Sequence, residues 1–239
     1  MTHCFYFSRD ILAKWADHLP AVYAAARPFP HVEIEPFFPE DIVPDIARGF
    51  PPLRPEHWSG SGDADPNRKH KYMSGNESLF GDVLRQALYQ LNSSFFVEFL
   101  ERLTGIEGLI PDPYLGGALR CYTRGGLLGV HTDYNWHNKL KLYRRVNLIV
   151  YLNREWPVSF GGELELWTTD WSRCAKRIFP GWNKAVIFGV DDRSPHGFPA
   201  PLRCPEGYSR KSLQLYYYSA RIPDADKWTG HATVFRDAR

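Results

Sequence analysis

The chain has 239 residues, and its 29 Lys and Arg against 27 Asp and Glu leave a formal net charge of +2. This balance excludes a partner recruited by gross electrostatics, so we expect no nucleic acid among its partners. With 44% hydrophobic and 23% charged residues, a mainly disordered chain is excluded as well. Aromatic residues make up 15% of the sequence beside 19 Gly and 19 Pro, which is typical of short strands joined by turns.

The first residues and the cysteines indicate the compartment in which the protein works. Residues 1–10 contain no basic segment followed by an apolar run, so we expect no secretory signal. The most apolar stretch, residues 146–152, is far shorter than the roughly 20 residues that cross a bilayer, so we expect no membrane partner. The 4 cysteines form no C-x-x-C pair, and we therefore expect reduced thiols in a cytoplasmic protein.

The first third of the sequence predicts a series of short elements. Residues 31–35 alternate between apolar and polar side chains as a strand does, and residues 37–41 predict the start of a short helix. Residues 51–66 are rich in Pro, Gly and Ser and predict a mobile loop. We therefore interpret residues 1–76 as an N-terminal extension and residues 77–239 as the core domain with its supporting helix.

A long amphipathic helix is predicted over residues 78–103. Apolar side chains recur there at helical spacing, which predicts one face that packs on the rest of the protein. The residues of this face are Leu84, Leu88, Leu91, Phe95, Phe99 and Leu103. Gly105 and Gly108 follow and predict the end of the helix, because glycine adopts the left-handed conformation that closes a helix.

Beyond residue 116 the sequence predicts strands with no helix between them. Short apolar runs separated by Gly, Pro and Asp are typical of antiparallel sheets. The predicted strands span residues 118–122, 146–153, 162–167, 184–190 and 212–219. Successive strands without helices favour a sandwich or barrel over a parallel sheet. We expect a mainly β fold, an antiparallel β-roll with the long helix packed on one outer face.

One short segment carries most of the predicted chemistry. Residues 125–133 read Gly-Gly-Leu-Leu-Gly-Val-His-Thr-Asp, so that His131 and Asp133 lie two positions apart. Because residues i and i+2 of an extended chain project to the same side, an imidazole nitrogen and a carboxylate oxygen can meet one metal ion. His196, just after the apolar residues 185–188, can supply a third ligand. Two histidines and one carboxylate leave open positions, as at the facial triads of non-haem Fe(II) oxygenases.

A basic residue and a hydroxyl lie farther along the sequence. Arg210 and Ser212 are two positions apart at the start of a predicted strand, so a guanidinium and a hydroxyl share one face and can bind a small carboxylate. Arg203 and Lys211 are rival anchors for that carboxylate. Arg203 lies among prolines, however, and Lys211 would face away from Ser212.

Together these motifs resemble those of the Fe(II)- and 2-oxoglutarate-dependent dioxygenases, in their prolyl-hydroxylase-like branch. The resemblance covers roughly residues 116–219 and depends on H-x-D, a distant histidine and a downstream R-x-S. It implies a double-stranded β-helix, that is, a jelly-roll or cupin-like fold. It also implies Fe(II), 2-oxoglutarate and O2, with His131, Asp133 and His196 as the metal ligands of the catalytic centre.

The same resemblance assigns residues around the cosubstrate. Arg210 is expected to pair with the distal carboxylate of 2-oxoglutarate, and Ser212 to assist it. Tyr122 resembles the tyrosine that lines the cosubstrate pocket of the family, just upstream of H-x-D. Asn147 occupies a strand position where relatives often carry threonine. His137 is a rival metal ligand close to H-x-D, and we expect it at the rim of the pocket.

The expected reaction is hydroxylation of an aliphatic C–H bond, with release of succinate and CO2. Desaturation and cyclisation stay open as outcomes. The substrate is expected to be a small amino-acid-like molecule or a peptidyl residue, bound between residues 58–73 and residues 134–139 because loops usually carry selectivity. The candidate substrate contacts are Arg120, Tyr134, Asn135 and Trp136.

Two other functions stay open at the level of sequence. One is a cupin-type metalloenzyme that does not use 2-oxoglutarate, in which nothing would require Arg210. The other is a non-catalytic jelly-roll module that binds its ligand on aromatic rings. Metal content and turnover of 2-oxoglutarate distinguish the three functions.

Overall fold

The computed structural model describes residues 5–115, 118–222 and 229–236. Its helices precede most of its strands, and 3-10 turns occur at Glu77–Leu79 and Val158–Phe160. The helices are α1 (Arg9–Ala25), α2 (Val43–Arg48), α3 (Asp82–Leu91) and α4 (Ser94–Thr104). Within the described ranges, no helix combines the length and the apolar character that crossing a membrane requires.

Thirteen strands, counted over the described residues, form one antiparallel sheet. They are β1 (His31–Ile34), β2 (Ser59–Ser61), β3 (Arg68–Ser74), β4 (Ile110–Pro111), β5 (Leu119–Thr132), β6 (Trp136–His137), β7 (Leu142–Leu152), β8 (Leu164–Trp167), β9 (Cys174–Ile178), β10 (Trp182–Gly189), β11 (His196–Phe198), β12 (Arg210–Ser219) and β13 (Val234–Phe235). The main order is β1-β10-β7-β12-β5-β11-β8-β9.

Strand β5 connects the two halves of this sheet. Its first residues pair with β12, and its last residues pair with β11, so the sheet curls around a common interior. Ile149, Leu166 and Phe188 belong to an apolar cluster that fills part of this interior. A mainly antiparallel jelly roll with flanking helices confirms the fold class expected from the sequence.

The helices cover the outer face of the sheet. In β12, Leu213, Leu215 and Tyr217 belong to the large apolar core that the helices share with the sheet. The Tyr217 hydroxyl donates to the carbonyl of Leu91 in α3 at 2.8 Å. Because neighbouring residues of a strand face opposite sides, Arg210 and Ser212 face the interior.

The helix predicted over residues 78–103 is divided into α3 and α4. The Ser93 hydroxyl donates to a carbonyl at the end of α3 and accepts from the amide of Phe96, so it caps the start of α4. The break shifts the apolar stripe: Phe96 is buried, whereas Phe95 is 38% exposed. The prediction of one continuous helix with Phe95 on its buried face was therefore wrong. Gly105 ends α4 with φ of 70°, as predicted.

The sequence patterns did not predict α1, a helix of 17 residues. Ser8 caps it by accepting from a backbone amide of the first turn at 3.2 Å. Only Leu12, Ala16 and Tyr23 of this helix are buried, and Pro20 lies inside it. The amphipathic pattern is therefore too sparse to identify from apolar spacing alone.

Elements on both sides of residue 76 contribute to the one sheet. Strand β1, which covers most of the strand predicted over residues 31–35, pairs with β10. Strands β2 and β3 form a hairpin, and β3 pairs with β5. Part of the segment predicted as a loop over residues 51–66 is therefore strand β2.

Candidate active site

His131, Asp133 and His196 lie together where β5 and β11 meet. The two histidines are register partners, and their ring centroids are 4.5 Å apart. Nε2 of each histidine lies 3.6 Å from a carboxylate oxygen of Asp133. The three potential ligand atoms lie within 4.8 Å of one another, so one metal ion can contact all three side chains.

Each histidine ring is held by the nitrogen that faces away from Asp133. Nδ1 of His131 lies 2.8 Å from the carbonyl oxygen of Gly129, and Nδ1 of His196 lies 2.9 Å from that of Ser194. Because a carbonyl only accepts, Nδ1 carries the proton and Nε2 presents a lone pair toward the metal position. Burial and the neighbouring His131 ring lower the pKa of His196 to about 4, which keeps this ring neutral.

Arg144, to which the sequence analysis gave no role, is the buried counter-ion of Asp133. Its Nη2 lies 3.1 Å from Oδ2 of Asp133. Asn147 bridges them: it donates to the same Oδ2 at 2.7 Å, and its own Oδ1 accepts from Arg144 at 2.7 and 3.0 Å. Burial favours the neutral acid, but Arg144 and the two histidines hold the pKa of Asp133 well below its usual range. Asp133 therefore remains a carboxylate.

Arg210 lies at the start of β12, on the inner face of the curled sheet. We call this face the inner wall; it carries Tyr122, Asn147, Tyr151, Arg210 and Ser212. Arg210 is 2% exposed, and its Nε donates to the carbonyl of Gly162 at 2.8 Å. Its Nη2 donates to the Tyr151 hydroxyl at 3.2 Å, and the guanidinium lies 4.4 Å from the centroid of the Phe198 ring. Gly162 makes this packing feasible, since a Cβ there would lie 2.9 Å from Cδ of Arg210. No acidic side chain among the described residues pairs with Arg210.

Two hydroxyls beside Arg210 have no protein partner. The hydroxyls of Tyr122 and Ser212 are buried, and neither forms a hydrogen bond with the residues that the structure describes. Tyr122 is the register partner of Arg210, and Ser212 lies opposite Tyr151. Buried polar groups in native proteins are almost always satisfied, so unbonded hydroxyls beside an unpaired guanidinium fit a small carboxylate ligand.

Tyr151 was missed by the sequence analysis, whereas Asn147 was given a place at the cosubstrate. The structure places Asn147 against Asp133 and Arg144, and Tyr151 against Arg210. The strand alternation of β7 carried the missing signal, because Asn147 and Tyr151 are four residues apart and share the inner face.

The predicted substrate contacts lie in three different surroundings. Arg120 and Tyr134 lie near Arg144, since Arg120 donates to the Tyr216 hydroxyl and both Tyr134 and Tyr216 stack on the Arg144 guanidinium. Trp136 packs on the Tyr143 ring within the pair of β6 and β7. Asn135 is buried; the contacts of its side chain are Asp192, the carbonyl of Thr229 and the amide of His231.

The segment 229–236 covers one side of the metal position. Strand β13 pairs with the end of β5, and the Phe235 ring lies 5.4 Å from the ring of His131. His137, the rival ligand, lies in β6, where its Nδ1 accepts from the amide of Leu140. It is not part of the cluster formed by the triad.

The donor set fits Fe(II). Two neutral imidazole nitrogens and one carboxylate on one side of an ion are the ligands of non-haem iron oxygenases, in which the remaining positions take the cosubstrate and O2. The inner wall beside Arg210 fits an organic acid, because it offers one cation and two hydroxyls in a space lined by rings.

Comparison with known sequences finds a family match over the strands that carry the site. Residues 117–218 match the sequence model described as the 2OG-Fe(II) oxygenase superfamily. Prolyl 3-hydroxylase OGFOD1 of Mus musculus is 30% identical over 136 residues, which are 55% of this chain and 24% of that protein. The chain therefore spans about a quarter of the length of this relative.

Solved structures share the fold. A prolyl hydroxylase from Trichoplax adhaerens, in complex with a hypoxia inducible factor oxygen degradation domain peptide fragment, superposes with a TM-score of 0.62 at 17% identity over 88% of this chain and 91% of that one. A Pseudomonas putida prolyl-4-hydroxylase superposes with a TM-score of 0.57 at 20% identity over 87% and 98%. At these identities, the similarity shows only a shared jelly-roll fold.

The matched family takes its name from its metal and its cosubstrate, and its members act with O2. This confirms the cofactors expected from the sequence: Fe(II), 2-oxoglutarate and O2. Residues 117–218 thus resemble the 2OG-Fe(II) oxygenase superfamily, and the chain is similar to a prolyl hydroxylase of that chemistry.

Proposed function

We propose that this protein is an Fe(II)- and 2-oxoglutarate-dependent oxygenase that hydroxylates a prolyl residue of a peptide or protein, with release of succinate and CO2. One observation carries the proposal: Asn147 and Tyr151, on one face of β7, contact Asp133 of the triad and Arg210, so the triad lies on the same wall as a buried cation that has no acidic partner among the described residues. The names of the relatives support a peptidyl proline, since one is a prolyl 3-hydroxylase and another was solved with a peptide.

The residues of the metal centre would act as a fixed ligand set. His131, Asp133 and His196 would hold Fe(II), which when bound with 2-oxoglutarate and O2 would supply an oxidant able to hydroxylate an aliphatic C–H bond. The backbone carbonyls at Nδ1 orient both imidazoles. Arg144 and Asn147 hold Oδ2 of Asp133 and so fix the carboxylate.

The residues around Arg210 would bind the cosubstrate. Arg210 pairs with the distal carboxylate of 2-oxoglutarate, and Tyr122, Tyr151 and Ser212 donate hydroxyl hydrogen bonds to it. The rings beside the guanidinium exclude water, which strengthens the ion pair because the local dielectric is low. This assignment leaves the rival anchors outside: Lys211 lies near Phe50, and Arg203 is exposed and donates to the carbonyl of Ser159.

The cupin-type and non-catalytic alternatives do not explain the buried charge and the unbonded hydroxyls on the inner wall. Either one would leave the charge of Arg210 buried without an anion, at a cost of several kcal/mol. An organic acid removes this cost and also satisfies the two unbonded hydroxyls.

The experiment measures succinate release by the purified protein with Fe(II), 2-oxoglutarate and O2, together with the gain of one oxygen atom by proline-containing peptides in mass spectrometry. Substrate-dependent succinate and hydroxylated product are expected. His131→Ala should abolish both, whereas His18→Ala, on the exposed surface of α1, should change neither. A wild-type protein that binds iron but hydroxylates no prolyl peptide in a broad panel contradicts the proposal.

A further inference from the structure

A second group of basic side chains lies on the inner wall, on β3 and β5. Lys71 is the register partner of Tyr122, and Met73 is the partner of Arg120. Register partners project to the same face, and diagonal neighbours on a face are about 7–8 Å apart, so Lys71 and Arg120 are neighbours. Tyr72 packs on the outer apolar core, as expected when Lys71 faces inward.

Lys71 is surrounded mainly by positive charge. Arg120, Arg68 and Arg144 oppose its ammonium charge, and Asp133 favours it. Burial together with these cations lowers the pKa of Lys71 to about 7. Asp133 is already engaged by Arg144, and the ammonium of Lys71 forms no ion pair within the described part of the chain.

A carboxylate bound at Arg210 would not balance the positive charge of Lys71. Arg210, Tyr122 and Lys71 are register partners in a row across β12, β5 and β3, so the Tyr122 ring stands between the two cations. Two strand spacings separate Arg210 from Lys71, which is about 10 Å between backbones. An anion that contacts Lys71 is therefore a second anion, on the side of the wall formed by the β2–β3 hairpin.

We propose that Lys71 and Arg120 bind a carboxylate of the substrate, so that the preferred substrate is an anionic prolyl compound. The carboxylate belongs either to an acidic side chain next to the proline or to the free C-terminus of the prolyl residue itself. Both sources present the same group to the same cations. This inference depends on the proposed function, because it specifies the substrate of that same site.

The experiment compares four peptides of equal length that differ only in charge. Two carry glutamate or glutamine next to a central proline with both ends blocked, and two end in proline as the free acid or the amide. Hydroxylation is measured as kcat/KM, and binding of fluorescent versions as Kd with Mn(II) in place of iron. We expect the acidic member of at least one pair to be favoured about 10-fold or more in both measurements, the effect of a charge-assisted hydrogen bond in a partly buried site.

Variants test whether Lys71 provides this preference. Lys71→Met should reduce the preference to about 2-fold or less, without changing the affinity for 2-oxoglutarate. Lys211→Met is the matched control, since it removes a lysine from the outer face of the same sheet and should keep the full preference. Lys71→Glu should instead favour a peptide with lysine beside the proline. Preference in the side-chain pair identifies an acidic residue as the anion, and preference in the other pair identifies the C-terminus.

Two results would overturn the inference. One is equal kcat/KM and Kd for the acidic and neutral members of both pairs. The other is a preference that Lys71→Met leaves intact. In either case the prolyl peptides are still hydroxylated, so the proposed function stands; if no peptide of any charge is hydroxylated, the proposed function and this inference both fail.

Discussion

Two buried arginines of the inner wall, Arg144 and Arg210, differ in how their charges are balanced. Arg144 is 3% exposed and pairs with Asp133, which the structure itself supplies. Arg210 is 2% exposed, yet its hydrogen bonds go to a carbonyl and a tyrosine hydroxyl, and its neighbours are neutral rings. A buried charge without a counter-ion is costly. We therefore expect Arg144 to stabilise the fold and, under the proposed function, Arg210 to bind a ligand.

The two arginines should affect stability and binding separately. Removing Arg144 leaves the carboxylate of Asp133 without its counter-ion in a buried site. Removing Arg210 takes away a charge that no acid among the described residues balances. The two substitutions should therefore affect different measurements.

Arg144→Met should give the largest effect. Breaking a buried ion pair from one side costs about 3–5 kcal/mol, because the remaining charge stays buried. We expect the free energy of unfolding of the metal-free protein to fall by that amount in urea titrations. The double variant Arg144→Met with Asp133→Asn should recover part of the loss, since it removes both charges. A single variant as stable as wild type would show that the pair does not stabilise the fold.

Arg210→Met should act on the cosubstrate and leave the fold intact. We expect the KM for 2-oxoglutarate to rise about 100-fold or more, because the proposed charge-assisted contact in a buried site is lost. Urea unfolding should show unchanged or slightly higher stability. The comparison breaks down if Arg210→Met destabilises the protein as much as Arg144→Met does.

Metal affinity should distinguish the two arginines again, with a smaller effect. Groups that hold a metal ligand in place typically contribute 10- to 100-fold in affinity. We expect Arg144→Met to weaken Mn(II) binding by roughly that factor, as measured by calorimetry. Arg210→Met should bind Mn(II) as wild type does. Equal weakening in both variants would contradict the division of roles.

The two unbonded hydroxyls should give the smallest effects. Under the proposed function, Tyr122→Phe and Ser212→Ala each remove one hydrogen bond to the cosubstrate, so the KM for 2-oxoglutarate should rise about 3- to 10-fold. Neither variant should lose stability, since these hydroxyls have no protein partner within the described ranges. A clear loss of stability would indicate that the hydroxyls serve the fold.

Spacing along the sequence predicted the side-chain pairs that lie on a single strand. The i, i+2 rule placed His131 with Asp133 and Arg210 with Ser212, because strand alternation needs no knowledge of neighbouring strands. It did not reveal Arg144, which is covered by the rings of Tyr134 and Tyr216. It also missed the break at Ser93, where a cap competes with a continuous apolar pattern.

Titration of 2-oxoglutarate into the Mn(II)-loaded protein, by calorimetry, tests the central claim most directly, that Arg210 and the triad form one pocket. Wild type should bind one equivalent only when the metal is present, and Arg210→Met should bind at least about 100-fold more weakly. Binding that requires no metal, or equal binding by Arg210→Met, would contradict the account.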